Sequence, residues 1–431
     1  MPRFMWLLLL LLGVAFLLRV DFIFYILYVI AGVYLRSRWH SARVLENLEA
    51  SRGYQRRAFL GESVEVTLTL TNKSRLAVPW LQFQESVPPE LRLRATTSRA
   101  VTLRGRETTR YSYQVKAMQR GYYRLGPLRI TSGDLFGLAR QRFGILPADH
   151  LTVYPRIISL THLGLPSRLP FGSIASHQRL FEDPARPMGV REFQSGDSLR
   201  HMNWKASAHT EKLLVRTFQP AISLETVILL DLHSLAYERR DRYYSTEWAI
   251  VVAASLANHL IGQRQGVGLI TNGADPLRAQ AETRRFDDVT GRLLLQSGPV
   301  GADPATYMPA AIAPRSGRAH LMKILEQLAR IEPSQTIPFA EWVPAACVRL
   351  GWGITVLAVT AQGDAPVSNT LHRLARSGFN PILIAVEPDA NFSLVRERAR
   401  RLGFPAFNIS DRRGLAPWQQ RQHSPAEGLV Q

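Results

Sequence analysis

The chain has 431 residues, a length that predicts two or three domains. Its single cysteine, Cys347, excludes an intramolecular disulfide bond and a cysteine-based zinc site. The formal net charge of +19 comes almost entirely from arginine. These arginines are scattered, and no basic stretch carries interleaved aromatic residues that would stack on bases, so nucleic acid is not an expected partner. Anionic lipid head groups fit the positive charge better.

The N-terminal sequence contains two apolar runs, Phe4 to Leu18 and Phe22 to Leu35. The charged segment 19–21 between them has no small-residue cleavage site, so a removed signal peptide is not expected. With their flanks, the runs approach the roughly 20 residues that a membrane-spanning helix needs. Two helices with Arg3 and Arg36 on the same side would leave the rest of the chain in the cytoplasm. A single bent span would export it instead.

A period-two pattern begins after a charged connector. Val64, Val66, Leu68 and Leu70 alternate with glutamate and threonine, which predicts a half-buried strand. The same alternation recurs at least four more times before residue 150, with turn residues between the runs. This arrangement predicts a small β-sandwich of immunoglobulin-like kind.

The next segment, "FQSGDSLRHMNWKASAHT" at 193–210, concentrates reactive side chains around one tryptophan. Asp197, His201 and Ser207 could act as orienting acid, base and nucleophile of a hydrolase. Only the first two have the spacing of helical neighbours. Moreover, the chain contains no nucleophile-elbow, phosphate-loop or His-Glu-x-x-His motif. The residues therefore do not favour catalysis.

A structural interpretation accounts for more of this segment. The turn at Gly196 and Asp197 would cap a short helix. Arg200 and Lys205 would pair with Glu192 or Asp197, Trp204 would anchor the segment on the next domain, and "KLLVRTFQP" would follow as an extended edge segment. The same joint could also present a docking surface to an acidic partner. The candidate residues are Arg191, Gly196, Asp197, Arg200, His201, Asn203, Trp204, Lys205 and Ser207.

Continuous apolar runs then alternate with helical patterns, which predicts an open parallel α/β sheet. Thr246 is a candidate cap of the first helix, and Leu321, Ile324, Leu325 and Leu328 form one face of a later helix. The predicted strands are 226–231, 266–271, 353–360 and 380–387, and the helices include 245–263 and 317–333.

Three motifs carry a resemblance to a known family: "VREFQSGDSLRHMNWKASA" followed by "LLVRTFQP" and "VILLDLHS", "RGYYRLGPLRI" with "GDLFGL", and "SGRAHLMKILEQLARIEP". With the paired N-terminal helices, they resemble the bacterial membrane-anchored proteins of domain of unknown function 58 (DUF58). The resemblance covers nearly the whole chain. It implies a von Willebrand factor A-like domain with an adhesion-type metal loop. It also implies a MoxR-type AAA+ ATPase as partner, in protein assembly or envelope functions.

The metal loop that the resemblance implies is degraded in this sequence. The Asp-x-Ser-x-Ser pattern of such a loop reads Asp231, His233 and Leu235 here, with Ser234 out of frame. A leucine supplies no ligand, and imidazole does not suit Mg²⁺. We therefore expect no Mg²⁺ and no other cofactor, and Asp231 would instead hydrogen-bond its own loop. The remnant set is Asp231, His233, Ser234, Thr360 and Asp364.

Together these patterns predict a multidomain protein of the bacterial inner membrane that binds protein partners without catalysis. An exported envelope-binding or adhesion-like module is the first alternative, and a hydrolase that uses the 193–210 segment is the second. The expected organisation is two transmembrane helices over 1–37, a charged connector over 38–57, a β-sandwich over 58–150, a joint over 151–220, a von Willebrand A-like domain over 221–410 and a disordered tail over 411–431.

Overall fold

The structure is a computed structural model. It describes residues 22, 25–33, 35–36, 47–93, 98–133, 140–160, 163, 182–195, 197, 199–220, 225–278, 284–286, 293–295, 307–387 and 392–409. The chain divides into two compact units. The first comprises Met1–Pro155 with Ala279–Pro299, and the second comprises Arg156–Arg278 with Val300–Gln431.

The secondary structure is rich in strands in both units. The strands are β1 (Leu48–Gly53), β2 (Arg57–Phe59), β3 (Ser63–Asn72), β4 (Val78–Glu85), β5 (Leu91–Leu93), β6 (Ser98–Leu103), β7 (Thr108–Ala117), β8 (Gly121–Leu125), β9 (Leu128–Gly133), β10 (Arg140–Leu146), β11 (Asp149–Tyr154), β12 (Glu182–Glu192), β13 (Leu214–Pro220), β14 (Glu225–Leu230), β15 (Gly266–Thr271), β16 (Arg284–Phe286), β17 (Leu293–Leu295), β18 (Ile312–Arg315), β19 (Thr355–Thr360), β20 (Asn380–Val386) and β21 (Ala406–Ile409). The helices are α1 (Trp204–Thr210), α2 (Arg242–Gly262), α3 (Arg318–Arg330), α4 (Phe339–Cys347), α5 (Ala365–Arg376) and α6 (Phe392–Arg401).

The N-terminal segment is described only in part. Residues 22, 25–33 and 35–36 are helical. Among the described residues, no helix combines the length and the apolar character that crossing a membrane requires. Most of the transmembrane hairpin predicted over 1–37, and all of the tail predicted over 411–431, lie outside the described residues.

The first unit is built from β-sheets. Two four-stranded antiparallel sheets have the orders β1-β3-β7-β5 and β10-β9-β4-β6, and a three-stranded sheet has the order β2-β11-β8. The alternation predicted for β3 is confirmed, since Val64, Val66, Leu68 and Leu70 are all buried. Side chains from all three sheets share one hydrophobic core. The short pair β16-β17 also belongs to this unit.

A buried ion pair lies within this unit. The Arg52 guanidinium contacts the Glu85 carboxylate at 2.5 Å, and the Tyr113 hydroxyl donates to the same carboxylate at 2.5 Å. Gly126, in the "RGYYRLGPLRI" motif, allows this arrangement. A Cβ at Gly126 would lie only 2.6 Å from the Arg52 guanidinium, and its φ of +97° is one that L side chains rarely adopt. The motif therefore leaves room for the ion pair.

The second unit contains a six-stranded sheet with the order β18-β15-β14-β19-β20-β21. The five strands from β15 to β21 are parallel, and β18 runs antiparallel at one edge. Strands β14, β19 and β20 are buried almost throughout, as expected for strands covered on both faces. The predicted open α/β sheet is thus present, with one antiparallel edge strand.

Helices pack on this sheet in agreement with most of the predicted ranges. Helix α2 is buried on most of its circumference, and α4, α5 and α6 share a core with the sheet. Thr246 does not cap α2. It lies inside the helix, and its hydroxyl donates to the Arg242 carbonyl at 2.8 Å, because the helix begins four residues before it.

The structure departs from the predicted arrangement at two places. Strand β1 occupies part of the segment 38–57 that was expected to be a connector, because Leu48 packs into the first core. Residues 279–299 group with the first unit rather than with the α/β domain. The segment "KLLVRTFQP", expected to be extended, contains β13, which pairs with β12 in a two-stranded ladder and forms an isolated bridge with Met202 through Val215.

Candidate functional site

The 193–210 motif lies in a hairpin that we call the signature hairpin, residues 182–220. Strands β12 and β13 pair antiparallel, with Glu192 opposite Leu214 and Arg191 opposite Val215. The Phe193 amide donates to the Leu213 carbonyl at 2.8 Å, so the hairpin closes immediately beyond the strands. The motif is therefore the tip of one ladder.

An ion pair holds the start of this tip. Both oxygens of Asp197 accept from the guanidinium of Arg191, at 2.6 and 2.7 Å. One of them also accepts from the Gln194 amide at 2.8 Å. The hydrogen bond from Arg191 and then that from Gln194 hold the pKa of Asp197 below its usual value. Asp197 therefore fastens the turn and does not cap a helix as predicted, and Gly196 lies outside the described residues.

Helix α1 is fixed by other groups. Asn203 is its N-cap, and its side-chain oxygen accepts from the Ala206 amide at 3.3 Å. Ser207 is buried, and its hydroxyl accepts from the Leu214 amide at 2.8 Å and donates to the Leu214 carbonyl at 3.5 Å. Among the described contacts, none joins Asp197, His201 and Ser207 into a catalytic array, because the acid and the hydroxyl bind elsewhere.

The hairpin exposes large apolar side chains. Trp204 is 65% exposed, so it does not anchor the segment as predicted. It opens α1 with its ring in solvent, while the smaller Met202 and Val215 are buried beneath the tip. Leu199 is 65%, Leu213 52% and Val190 49% exposed. Four exposed large apolar side chains on one hairpin make it a candidate contact surface for another molecule.

The basic residues of the tip are also oriented differently from the prediction. Glu192 pairs with Lys212 at 2.6 Å, and Asp197 pairs with Arg191. These pairs occupy the two carboxylates that were expected to bind Arg200 and Lys205. Both of those basic residues are exposed, beside Leu199 and Trp204 in the sequence. The tip consequently combines exposed apolar groups with exposed positive charge.

A second group of polar side chains lies at the carboxyl ends of the parallel strands. Asp231 is fully buried, and it accepts from the Thr360 hydroxyl at 2.8 Å, the Asn272 amide group at 2.8 Å and the His233 backbone amide at 3.1 Å. Burial raises its pKa, although these hydrogen bonds act in the opposite direction. We call Asp231, Asn272, Thr336 and Thr360 the strand-end cluster, since the Thr336 hydroxyl donates to the Asn272 carbonyl.

The remaining members of the expected metal loop do not converge on Asp231. Asp364 is exposed and caps α5, where it accepts from the Val367 amide at 3.2 Å. Ser234 is buried, and its amide donates to the Ser334 carbonyl at 3.0 Å. Within the described part of the chain, no three histidine, cysteine, aspartate or glutamate side chains are grouped as metal ligands.

A pocket of about 480 Å³ opens at the same end of the sheet. Its walls come from the segments that follow β14, β19 and β20, with α6 along one side. In the strand order, β14 is followed by β15 on one side of the sheet centre, and β19 is followed by β20 on the other side. The pocket lies at this reversal of the strand order. Open α/β sheets commonly bind ligands at this position.

Sequence reasoning missed several of these residues. Asn272 follows β15 directly, so its place at a strand end next to Asp231 was a usable signal. Thr336 and Tyr237 lie in irregular segments, and no periodicity marks them. The Tyr237 hydroxyl donates to the Asp231 carbonyl at 2.5 Å, which completes the closure of the loop.

Comparison with known proteins supports the resemblance. Residues 189–302 match the family described as Protein of unknown function DUF58. This range begins in β12 and includes the tip of the signature hairpin and the first strand of the α/β sheet. The uncharacterized protein YeaD of Bacillus subtilis (strain 168) is 24% identical over 236 residues, which cover 54% of this chain and 57% of YeaD. The DUF58 resemblance is thereby confirmed.

Solved structures show only partial similarity. Native alpha-2-macroglobulin from Escherichia coli, from domain MG7 to the C-terminus, is 20% identical over 26% of this chain and 17% of that chain, with a TM-score of 0.23. The CARDB domain of PF1109 from Pyrococcus furiosus, crystallised with di-metal ions, is 15% identical over 25% of this chain and 91% of that domain, with a TM-score of 0.17.

Proposed function

We propose that this DUF58-family chain, matched over residues 189–302, is a membrane-anchored adaptor that binds a protein partner through its signature hairpin and performs no catalysis itself. The partner surface would be acidic and partly apolar. The family resemblance supports a MoxR-type AAA+ ATPase as that partner, in the assembly of other proteins or in envelope maintenance. It also supports a von Willebrand A-like and an immunoglobulin-like identity for the two units.

The observation that carries the proposal is the exposure of Leu199 and Trp204 on a hydrogen-bonded hairpin tip. Aromatic and aliphatic side chains that are held in place lose little conformational freedom when they are buried by a partner. Here the Arg191–Asp197 pair and the Ser207–Leu214 hydrogen bonds hold the backbone on both sides of these residues. The apolar groups are therefore presented without the need to order a loop.

Charge supports an acidic partner. Arg200 and Lys205 lie next to the exposed apolar residues in the sequence. The nearby carboxylates of Asp197 and Glu192 already form ion pairs with Arg191 and Lys212. Such an arrangement accelerates association with an acidic surface and disfavours basic ones. The Ser207 hydroxyl is buried and forms hydrogen bonds with the backbone of Leu214, which opposes its use as a nucleophile.

Location at the inner membrane is part of the proposal. The apolar runs before residue 36 supply the anchor, and the flanking arginines favour a cytoplasmic position for both units. A cytosolic ATPase could reach the hairpin only in this orientation. An exported module would need a different partner.

The test measures binding of the purified full-length protein to the MoxR-type ATPase of the same bacterium by biolayer interferometry. We expect L199S/W204A to weaken binding about tenfold or more, because truncation of a central apolar anchor typically costs about 2 kcal/mol. Trp352→Ala is the matched control, since Trp352 is 68% exposed in the same unit and lies outside the hairpin. Its affinity should equal that of the wild type.

Two results would oppose the adaptor. Equal loss in L199S/W204A and W352A would show that the hairpin is not the contact. If His201→Ala abolished cellular function while binding and thermal unfolding stayed at wild-type values, the hydrolase alternative would replace the adaptor, because a docking residue acts only through affinity.

A further inference from the structure

The pocket of about 480 Å³ at the carboxyl ends of the parallel strands is lined by side chains whose net charge is opposite to that of the whole chain. Four carboxyl side chains line it, those of Glu238, Asp241, Asp364 and Glu387, against a single guanidinium, that of Arg398. The Arg398 guanidinium donates to the Gly363 carbonyl at 2.7 Å, so part of its hydrogen-bonding capacity is used by the protein. The side chains that line this concave site therefore carry a net negative formal charge, whereas the formal charge of the whole chain is +19.

The same pocket also has an apolar rim. Leu235, after β14, is 63% exposed, and Leu394, on α6, is 56% exposed. The two leucines come from different elements that meet at the pocket. Exposed leucines beside carboxylates match a ligand that has an aliphatic stem and a cationic head, and not a bare ion.

We propose that this pocket binds the side chain of an arginine, with its methylene stem on Leu235 and Leu394 and its guanidinium among the carboxylates. A guanidinium forms paired hydrogen bonds with a carboxylate, and its weak hydration makes it easier to bury than an ammonium group. The volume of about 480 Å³ lies within the range of pockets that bind small ligands. The position at the point where the strand order reverses is an independent indication of a ligand site.

The arginine could come from a partner or from this chain. The Glu387 amide donates to the Ile409 carbonyl at 3.0 Å, so the end of β21 lies beside the pocket wall. In the sequence, Arg412 and Arg413 follow Ile409 after two residues. These arginines lie outside the described residues, and three extended residues span about 10 Å. Both sources present the same chemistry.

The experiment titrates the full-length protein, with its leucine methyl groups labelled for NMR, with Nα-acetyl-arginine amide and with the neutral Nα-acetyl-citrulline amide. We expect the arginine probe to shift Leu235 and Leu394 and to bind about tenfold more tightly than citrulline. E238Q/D241N should weaken the arginine probe about fivefold, the loss expected for two partly exposed charge contacts. Glu397→Gln is the control, because Glu397 lies on α6 but pairs with Arg401 outside the pocket lining.

A full-length R412Q/R413Q variant identifies the source. If the chain supplies its own arginine, this variant will bind the probe several-fold more tightly than the wild type, because competition is removed. If a partner supplies it, the variant and the wild type will bind equally. Equal affinity for arginine and citrulline in both proteins, or an unchanged affinity in E238Q/D241N, would overturn the proposal. The adaptor role of the hairpin would not be affected by that result.

Discussion

Asp231 shows how a buried carboxylate at a strand end is satisfied by hydrogen bonds from the protein. The carboxylate is fully buried, yet each of its oxygens accepts from a group of the protein. A buried carboxylate that lacks such donors would be strongly unfavourable. Asn272 and Thr360 thus supply what a cation would supply in an open site, and they do so from the two strands that flank β14.

We predict that Thr360→Val destabilises the protein by about 1–3 kcal/mol, because it leaves one oxygen of a buried carboxylate without a donor. The measurement is the free energy of unfolding in urea. Thr210→Val is the control, since the Thr210 hydroxyl is exposed and donates only to the Ala206 carbonyl of its own helix. That change should stay within about 0.5 kcal/mol of the wild type. If both variants lost the same free energy, Thr360 would not be holding Asp231.

Strands in both units were predictable where a single hydrophobic pattern dominated the sequence. Strand β3 alternates strictly, and β14 and β19 are continuous apolar runs, so their burial follows from composition alone. The signature hairpin was not predictable as a ladder. Strand β12 contains two prolines and no alternation, and its register shifts twice against β13. Its pairing depends on contacts between residues that are far apart in the sequence.

The roles of side chains at the candidate sites were harder to predict than the elements. A lone tryptophan in a polar segment is usually buried, yet Trp204 opens a short helix and points into solvent. The Arg191–Asp197 pair spans a turn rather than one face of a helix, so helical spacing could not identify it. Asp231 was recognisable as a residue that bonds its own loop, but the donors from other strands require the three-dimensional fold.

We predict that Asp197→Asn loosens the tip of the signature hairpin without unfolding the sheet. The amide of Gln194 would lose a charged acceptor, and Arg191 would lose a bidentate partner. Hydrogen exchange measured by mass spectrometry should accelerate several-fold over residues 193–213 and remain unchanged in β14 and β19. Glu192→Gln is the control in the same hairpin, because its pair with Lys212 is largely exposed and contributes little.

The protection of residues 193–213 from hydrogen exchange should depend on pH with a definite sign. The pKa of Asp197 in the folded protein is lowered from 3.8 by the hydrogen bonds from Arg191 and Gln194. The stabilisation of the hairpin tip by the ionised Asp197 is therefore complete above the pKa of the unfolded chain. It is lost as the pH falls through the lower pKa of the folded protein. The Asp197→Asn variant should lack this acid-dependent loss. Equal protection of wild type and variant at neutral pH would contradict the role of Asp197.

At the scale of the whole molecule, the proposed adaptor role requires both units to lie on the cytoplasmic side of a membrane. The change from period two to continuous apolar runs correctly predicted a β unit followed by an α/β unit. It did not predict that residues 279–299 belong with the first unit, because their pairing is short and lies inside the range of the second. The proposed sidedness rests on the charge pattern of the N-terminal segment and not on either unit.

We predict that a fluorescent protein fused after Gln431 is fluorescent and that alkaline phosphatase fused at the same position is inactive. The reason is that Arg3 and Arg36 would both be retained on the cytoplasmic side of a helical hairpin. Phosphatase fused after Asp21, in the segment between the two apolar runs, should be active and is the internal control. Phosphatase activity after Gln431 would show that the orientation is the reverse of the predicted one. A cytosolic ATPase could then not contact the signature hairpin, and an exported envelope-binding module would become the better account of its exposed apolar surface.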